Sequence, residues 1–338
     1  MALIEIENVS KIFGKDPKSV LPLVRQGRSK DEILKQTGHV VGLNEVTLSV
    51  EQGEVFVVMG LSGSGKSTLI RHINRLIEPT SGAIHVHGRD ILKASPGELQ
   101  RIRQTQMSMV FQRFGLMPHR TVAQNVAYGL EARGESEATR RAAADRWIAR
   151  VGLTGYEQAY PSMLSGGMQQ RVGLARALAT DPEILLMDEA FSALDPLIRH
   201  DMQKVLLELQ RELRKSIVFI THDLDEALAI GDRIAILQDG RLVQVGRSAE
   251  IILEPKTDYV RRFVAGVNRG RALKASDIMQ PVRAIEAPSV SGDSILEKVL
   301  PIVMGTVAGV RVTDARQEPV GFITRERLVH AIVSGTLE

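Results

Sequence analysis

Cysteine is absent from this 338-residue sequence. Disulfide bonds, thiol catalysis and thiolate metal sites are therefore excluded. Long apolar runs are missing too: none reaches the roughly 20 residues that a helix needs to span a bilayer, and no signal peptide precedes the first predicted strand. We therefore expect a chain that does not cross a membrane by itself, although it can lie against a membrane partner.

Aromatic residues make up only 4% of the sequence, and the net charge at pH 7 is a modest +3. Nucleic-acid binding usually relies on a basic stripe interleaved with stacking aromatic side chains. Lysine and arginine are dispersed here, so we expect no nucleic-acid partner. The other figures, 43% hydrophobic and 25% charged residues, are typical of a globular protein, and the length allows one large and one small domain.

Continuous apolar runs predict three strands that are buried on both faces, at residues 54–60, 183–189 and 216–223. A helix follows the first of them, and its apolar face consists of Leu69, Ile70, Ile73, Leu76 and Ile77. Pro79 is expected to end that helix. Strands alternating with helices predict a mostly parallel α/β core. Alternating strands at 2–9 and 46–50 add an antiparallel layer, and the pattern of 98–180 predicts a helical subdomain with few strands.

Two segments interrupt this pattern. Residues 14–40 are inserted between the first two strands, and a helix is predicted there with Ser29 as its N-cap and Gly38 just beyond its end. The pattern lapses again shortly before the C-terminal region, which reads as strand, helix, two strands and helix. The predicted division is a large domain at 1–266, a linker at 267–273 and a small α+β domain at 274–338.

The stretch GLSGSGKST, residues 60–68, fits a phosphate-binding loop between a buried strand and a helix. Its glycines let backbone N–H groups approach phosphate oxygens. Lys66 supplies positive charge to the β- and γ-phosphates, and Ser67 offers a hydroxyl to Mg²⁺. The predicted loop contacts are Gly60, Leu61, Ser62, Gly63, Ser64, Gly65, Lys66, Ser67 and Thr68.

The stretch ILLMDEA, residues 184–190, ends a buried strand in two acidic residues. A carboxylate such as that of Asp188 is costly to bury unless it meets a cation, and Mg²⁺ would meet that need. Glu189 follows, close enough to polarise a water molecule aimed at the γ-phosphate. The pair therefore predicts nucleotide hydrolysis rather than a simple acidic turn.

The stretch LSGGMQQR, residues 164–171, opens a further helix. Ser165 and the two glycines that follow it form a second potential anion site at a helix start. Two such sites in one chain indicate a nucleotide that is shared between two chains.

In combination these motifs resemble the ATP-binding subunit of an ABC transporter over residues 2–266. The resemblance implies that Gln112 senses the γ-phosphate and Mg²⁺, and that the segment SALD at 192–195 lies across a dimer interface. It also implies that His222 is a switch histidine and that Phe13 stacks on adenine. ATP and Mg²⁺ are the implied cofactors.

The resemblance assigns the site residues to three groups. The catalytic group is Glu189, His222 and Gln112. The nucleotide contacts outside the glycine-rich loop are Phe13, Gln112, Asp188, Ser165, Gly166, Gly167, Met168, Gln169 and Asp195. The metal ligands are Ser67, Gln112 and Asp188.

The resemblance also implies partners. Two copies of the chain would close head to tail around ATP, so that an isolated monomer hydrolyses ATP poorly. Integral membrane permease subunits would be direct partners and an extracytoplasmic substrate-binding protein an indirect one. The implied location is the cytoplasmic face of the inner membrane, as a peripheral protein.

Among ABC transporters the sequence is similar to the glycine betaine/proline uptake ATPases. The insertion VRQGRSKDEILKQTGHVVG and the stretches FGLMPHRTV and MDEAFSALDPLIRHDMQ carry this similarity, as does Ala190, where most importers have proline. Import of glycine betaine, proline, choline or carnitine is implied, and these four substrates are not separated by the sequence. Uptake of another small solute, such as an amino acid, is the alternative.

Two other classes are disfavoured. Soluble ABC ATPases of translation or DNA repair usually have two cassettes or a long coiled-coil insertion, whereas this chain has one cassette. A nucleotide-binding regulator without activity conflicts with the presence of both Glu189 and His222.

Residues 275–338 resemble a single CBS repeat. A lone repeat needs a partner, which a dimer of this chain could provide, and ionic strength is the implied signal. Many nucleotide-binding CBS repeats have Thr or Ser followed three residues later by Asp. This chain has Thr324 followed three residues later by Arg327, so we do not expect an adenosine ligand. The repeat is instead predicted to pair in a dimer, or to make an electrostatic contact through Arg325 and Arg327 with anionic lipid or a partner.

Overall fold

The computed structural model describes residues 2–112, 115–192, 194–283 and 285–333. The chain forms two compact units. The first consists of Met1–His222 with Leu237–Leu242, and the second of Asp223–Ile236 with Val243–Glu338. The domain ends predicted from the sequence, at residues 266 and 274, stay a prediction.

The first unit contains a parallel sheet and an antiparallel sheet. Its strands are β1 (Ala2–Phe13), β2 (Val40–Glu51), β3 (Val55–Met59), β4 (Ser81–Val86), β5 (Arg89–Asp90), β6 (Met107–Val110), β7 (Ile184–Asp188) and β8 (Ser216–Thr221). Strands β3, β8, β7 and β6 pair in parallel in that order, and every residue of β3, β7 and β8 is buried. The three strands predicted from the apolar runs are therefore confirmed, because burial on both faces requires apolar side chains along the whole strand.

The antiparallel layer is also confirmed. Its strand order is β2-β1-β4-β5, and β1 pairs with both β2 and β4. Strand β6, in contrast, was not predicted. Only its two end residues are buried, so the four residues MSMV give neither a continuous apolar run nor a clear alternation.

The helices of the first unit include those of the predicted helical subdomain. They are α1 (Leu21–Arg25), α2 (Lys30–Thr37), α3 (Lys66–Ile73), α4 (Pro96–Thr105), α5 (Val122–Ala132), α6 (Glu137–Arg150), α7 (Gly166–Ala179) and α8 (Pro196–Leu213). Helices α5, α6 and α7 pack against one another, with Trp147 buried among them. No helix in the described part of the chain is long and apolar enough to cross a membrane.

Helix α3 is shorter than its apolar pattern predicts. It ends at Ile73, and Arg75 has a φ of +53°, outside the right-handed helical region. The carbonyl of Ile77 accepts a hydrogen bond from Nδ1 of His72 at 2.6 Å. The chain therefore turns back on the helix before Pro79, and the apolar side chains after Ile73 do not extend the helix.

The insertion at 14–40 folds around a small core that it shares with the adjoining ends of β1 and β2. Ser29 caps α2: its hydroxyl accepts from the N–H of Glu32, whose carboxylate accepts from the N–H of Ser29. Gly38 ends the helix with a φ of +71°, as predicted. The core consists of Ile12, Val20, Val24, Ile33 and Val41, with Leu21 and Leu23 packed against it.

The second unit contains the C-terminal region. Its elements are α9 (Leu224–Ile230), β9 (Arg233–Gln238), β10 (Arg241–Gly246), α10 (Ser248–Leu253), α11 (Asp258–Val264), α12 (Arg269–Ala272), α13 (Ala275–Ile278), β11 (Ser289–Ser291), α14 (Leu296–Met304), β12 (Val310–Thr313), β13 (Pro319–Ile323) and α15 (Arg325–Val333). The residues between Leu237 and Leu242, at the tip of the β9–β10 hairpin, belong to the first unit. Strand β12 pairs in parallel with β11 and antiparallel with β13.

The apolar core of the second unit is continuous through the segment predicted as a linker. Residues from α10, such as Ile252, lie in one cluster with Leu273, Val299 and Leu328. Within 267–273 the chain forms α12, and Leu273 is fully buried.

Candidate nucleotide site

The glycine-rich loop connects β3 to α3 and holds the Lys66 side chain inside it. The Nζ atom of Lys66 donates hydrogen bonds to the carbonyls of Gly60 at 2.9 Å and Leu61 at 3.2 Å. At Gly65 the φ is +102°, and a Cβ atom would lie 2.6 Å from the carbonyl oxygen of Gly42. The loop therefore requires glycine there for both its conformation and its close packing.

A cleft of about 570 Å³ lies along this loop. It is lined by Phe13, Lys30, Asp31, Leu34, Val40, Val41, Gly42, Ser62, Gly63, Gly65, Lys66, Ser67, Thr68, Gln112 and Glu189. Eight of the predicted nucleotide contacts are among these residues, together with the predicted catalytic Glu189. The cleft therefore joins the glycine-rich loop to an acidic side chain and to an aromatic one.

Asp188 occupies the end of β7 and is almost fully buried. The hydroxyl of Ser67 donates to its Oδ1 at 2.7 Å, and a guanidinium nitrogen of Arg71 lies 3.0 Å from its Oδ2. Sequence reasoning missed Arg71. Its position four residues after Ser67, on the same face of α3, is the signal that could have revealed it.

The residues predicted as metal ligands offer a fitting donor set. The hydroxyl of Ser67 and the carboxylate of Asp188 are adjacent, and the Gln112 side chain lines the same cleft. Hydroxyl, carboxylate and amide oxygens are ligands that Mg²⁺ accepts in nucleotide sites.

Three side chains converge on the carboxylate of Glu189. Gln112 donates from Nε2 to Oε2 of Glu189 at 3.1 Å, Lys66 Nζ lies 3.6 Å from its Oε1, and His222 Nδ1 lies 3.5 Å from its Oε2. The structure thus brings together all three predicted catalytic residues and the lysine of the glycine-rich loop. The carboxylate of Glu189 therefore lies on the edge of the cleft, where it could reach a water molecule or a ligand bound there.

The backbone of Glu189 is strained, with a φ of +47°. A non-glycine residue in this region costs about 1–2 kcal/mol, so its surroundings must hold it there. The N–H of Glu189 donates to the carbonyl of Ile220 at 3.1 Å, and its own carbonyl accepts from both the N–H and the hydroxyl of Ser192. These bonds fix the direction of the Glu189 side chain toward the cleft.

The LSGGMQQR stretch forms the start of α7. The hydroxyl of Ser165 caps the helix by accepting from the N–H of Met168 at 3.3 Å, and Gln169 donates to the carbonyl of Pro161 at 3.0 Å. Asp195 caps α8 in a similar way. None of Ser165, Gly166, Gly167, Met168, Gln169 and Asp195 is among the described residues that line the cleft. Ala193 of the segment 192–195 lies outside the described residues.

Phe13 lines the cleft at the end of β1 and is about 40% exposed. The Nζ atom of Lys11 lies 5.1 Å from the centre of its ring, and the ring covers Gly42 so closely that a Cβ there would lie 2.8 Å from it. Its assignment to adenine stacking stays a prediction.

The insertion contributes residues to the cleft that sequence reasoning missed. Lys30, Asp31 and Leu34, all on α2, lie on its wall. Partial burial lowers the pKa of Lys30, while the nearby charge of Asp239 raises it. The signal in the sequence was that the insertion begins directly after Phe13, the predicted adenine contact.

Comparison with known proteins identifies the family. Residues 43–192 match the family described as ABC transporter. The glycine betaine/carnitine transport ATP-binding protein GbuA of Listeria monocytogenes is 56% identical over 82% of this chain and 70% of its own length. The trimethylamine N-oxide transport system ATP-binding protein TmoW of Pelagibacter ubique is 44% identical over 98% of both chains.

A solved structure extends this similarity to the fold. It is described as the dimeric post-hydrolysis state of the ATP-binding cassette MJ0796 bound to ADP and Pi, and it is 31% identical to this chain with a TM-score of 0.62. The match covers 72% of this chain and 98% of that one. The glycine-rich loop, the acidic strand end and the relatives agree: this chain belongs to the ATP-binding proteins of the ABC transporter family and is an ATPase.

Proposed function

We propose that this chain hydrolyses ATP to energise the import of a small quaternary amine or related osmolyte through a separate membrane permease. The observation that carries the proposal is the position of Glu189 on the cleft, with Lys66, Gln112 and His222 around its carboxylate. The substrate class rests on relatives named for glycine betaine, carnitine and trimethylamine N-oxide transport. All three molecules are small and carry a fully substituted nitrogen.

The residues of the cleft divide the chemistry between them. Backbone N–H groups of the glycine-rich loop and the ammonium group of Lys66 bind the phosphates of ATP. Glu189 orients a water molecule and accepts its proton, and His222 stabilises the γ-phosphate side. Ser67, Asp188 and Gln112 would hold Mg²⁺, which would neutralise charge on the phosphates when it is bound. Phe13 covers the adenine end of the cleft.

A second copy of the chain completes each site. The start of α7, with Ser165 as its cap, has N–H groups suited to an anion but does not line the described cleft of its own chain. Two chains that close head to tail would place this helix start and Asp195 on the nucleotide of the partner. The dimeric description of the MJ0796 structure supports this arrangement.

The C-terminal region acts as a regulatory module. Its order β11, α14, β12, β13, α15 and its three-stranded sheet match what a single CBS-like repeat would have. We assign the ATPase domain to 1–266 and the repeat to 274–338, with 267–273 between them. Pairing of two repeats in the dimer would allow ionic strength to control transport at the cytoplasmic face of the inner membrane.

Reconstituted transport tests the proposal. The chain is co-purified with its permease subunits and binding protein, placed in liposomes, and supplied with ATP and labelled solutes. Uptake of betaine, carnitine or trimethylamine N-oxide that depends on ATP and fails with Glu189→Gln is expected. ATP-dependent uptake of an amino acid such as methionine, without any uptake of these amines, would favour the alternative. Relatives named for methionine import are 40% and 44% identical to this chain, which keeps that comparison relevant.

A further inference from the structure

The helix α2 of the insertion forms one wall of the nucleotide cleft. Lys30, Asp31 and Leu34 line the same cavity as Ser62 and Gly63 of the glycine-rich loop. The insertion therefore places a positive and a negative side chain where a bound nucleotide would lie. Neither belongs to the phosphate-loop or strand-end motifs.

Lys30 lies near the tip of the β9–β10 hairpin, and that tip contacts the glycine-rich loop. The charge of Asp239, at the tip of that hairpin, acts on Lys30. The next residue, Gly240, donates its N–H to the carbonyl of Ser64 at 3.0 Å. The ammonium group of Lys30 thus lies near a hairpin tip that is hydrogen-bonded to the phosphate-binding loop.

The first turn of helix α2, which carries Lys30, is held in place by capping and by packing. Ser29 and Glu32 cap its first turn reciprocally, and Ile33 is buried in the insertion core. The Lys30 side chain is partly buried, which lowers its pKa. A lysine carried on a helix that is already folded costs less ordering on binding than one on a segment that must fold, so its contact contributes more to affinity.

We propose that Lys30 is a nucleotide-binding residue supplied by the insertion, and that its ammonium group contacts the phosphate-bearing part of the nucleotide. The polar wall next to it is the glycine-rich loop, whose N–H groups suit phosphate oxygens. Lys30 therefore acts as a second cation for the phosphates. Lys66 approaches them from within the glycine-rich loop, and Lys30 from the wall formed by α2. The proposal rests on the proposed binding of ATP in this cleft.

Equilibrium binding of ATP and of ADP to the full chain tests the role of Lys30. The variant Lys30→Gln is expected to bind both nucleotides 5- to 20-fold more weakly at 50 mM salt, with a smaller loss at 300 mM because screening weakens the contact. Lys30→Arg keeps the charge and is expected to stay within threefold of the wild type. Lys35→Gln, an exposed lysine on the same helix, is the matched control and is expected to bind normally. Affinities of Lys30→Gln within twofold of the wild type, with an unchanged melting temperature, would overturn the proposal.

A variant of Asp31 shows whether nucleotide binding depends on the charge of Lys30 or only on an intact helix α2. Asp31→Asn removes negative charge from the same wall and is expected to bind ATP at least as tightly as the wild type. A loss equal to that of Lys30→Gln would mean that the helix, rather than the lysine charge, supports binding, and would overturn the proposal.

Lys66→Ala distinguishes this inference from the proposed function. Suppose that the wild type binds ATP, that Lys66→Ala abolishes this binding and that Lys30→Gln leaves it unchanged. In that case only the proposed role of Lys30 is overturned. If the wild type does not bind ATP, or Lys66→Ala binds it as well as the wild type, the ATP site itself is wrong and both proposals fail.

Discussion

The amide of Gln112 donates a hydrogen bond to Oε2 of Glu189 across 3.1 Å. Gln112 follows β6 and Glu189 follows β7, so the bond joins the ends of two adjacent parallel strands. Three residues beyond Gln112, the carbonyl of Gly115 accepts a hydrogen bond from the guanidinium of Arg176 on α7, at 2.6 Å. One short stretch of chain is thus bonded to the carboxylate at the cleft and to the helix that begins at Ser165.

Replacing Glu189 with Gln is expected to stop ATP turnover while ATP still binds. Glutamine keeps the size of the side chain and can still accept from Gln112, but it cannot take a proton from water. We expect phosphate release to fall at least about 100-fold, a barrier increase of roughly 2.7 kcal/mol, with ATP affinity within threefold of the wild type. Steady-state turnover and equilibrium binding measure the two effects.

Glu183→Gln is the control for that experiment. The side chain of Glu183 bonds to His87 and Gln52 rather than to the residues of the cleft. The ATP turnover of Glu183→Gln is therefore expected to match that of the wild type. Undiminished turnover in Glu189→Gln would show that the catalytic assignment of Glu189 is wrong.

Replacing Arg176 with Lys is expected to weaken the coupling of hydrolysis to uptake. Arg176 is partly buried, which lowers its pKa, and its guanidinium donates a hydrogen bond to the carbonyl of Gly115. Lysine keeps a charge but lacks the planar fork of donors. In reconstituted liposomes we expect uptake per ATP hydrolysed to fall about tenfold or more, since a charged hydrogen bond contributes about 1.5–3 kcal/mol to holding its partner.

The matched substitution for Arg176 is Arg101→Lys, at an exposed position on α4. It should leave the ratio of uptake to hydrolysis unchanged. An unchanged ratio in Arg176→Lys as well, in a variant that melts at the wild-type temperature, would rule out a coupling role for the contact with Gly115.

The stability of the first unit is expected to fall in mild acid because of His72. Its side chain is fully buried, and burial lowers its pKa, with Lys11 lowering it further and Glu78 and the bond to Ile77 opposing the shift. The unfolded chain binds a proton at this histidine below pH about 6.5, whereas the folded chain does so only at lower pH. Stability from the neutral imidazole is therefore full above about 6.5 and is lost as the pH falls through the folded pKa.

Urea denaturation of wild type and His72→Asn from pH 8 to pH 5 measures this effect. Asparagine can still donate to the carbonyl of Ile77 but does not titrate. We expect the variant to be less stable at pH 8 because it is smaller, with the gap narrowing below pH about 6.5. A constant gap for His72→Asn would contradict the prediction.

The buried strands were predictable because a strand that is buried on both faces has apolar side chains at consecutive positions. Strands β3, β7 and β8 are short, mostly apolar runs buried along their whole length, and that short length favours a strand over a buried helix. The caps of α2 were equally predictable, since Ser29 and Gly38 act on their own neighbours. Strand β6 and the early end of α3 were missed because each depends on a partner distant in sequence or on a turn conformation.

The site divides in the same way. The glycine-rich loop and the acids at 188–189 are local motifs, so their residues could be found one by one. Arg71 as the partner of Asp188, and Lys30 on the cleft wall, depend on how separate elements pack. The sequence indicates the face of α3 that carries Arg71 and the start of the insertion after Phe13, but the distances of these side chains to Asp188 and to the cleft depend on the fold.

Replacing Arg327 with Ala is expected to destabilise the second unit. The sequence suggested that Arg325 and Arg327 contact anionic lipid or a partner. In the structure, Nε of Arg327 donates to the carbonyl of Ile278 on α13, and its N–H donates to the hydroxyl of Thr324 at 3.2 Å. Loss of the guanidinium leaves the carbonyl of Ile278 without this bond, so we expect a loss of about 1–2 kcal/mol in the free energy of unfolding.

Thermal unfolding of the full chain and vesicle binding separate the two roles of Arg327. Arg316→Ala removes an exposed arginine from the turn before β13 and should melt like the wild type. Arg327→Lys could keep its affinity for vesicles rich in anionic lipid but have a melting temperature as low as that of Arg327→Ala. That result would show that the guanidinium of Arg327 stabilises the fold. If Arg327→Ala melts at the wild-type temperature and loses only vesicle binding, the hydrogen bond to Ile278 contributes nothing measurable and the lipid contact is the correct role.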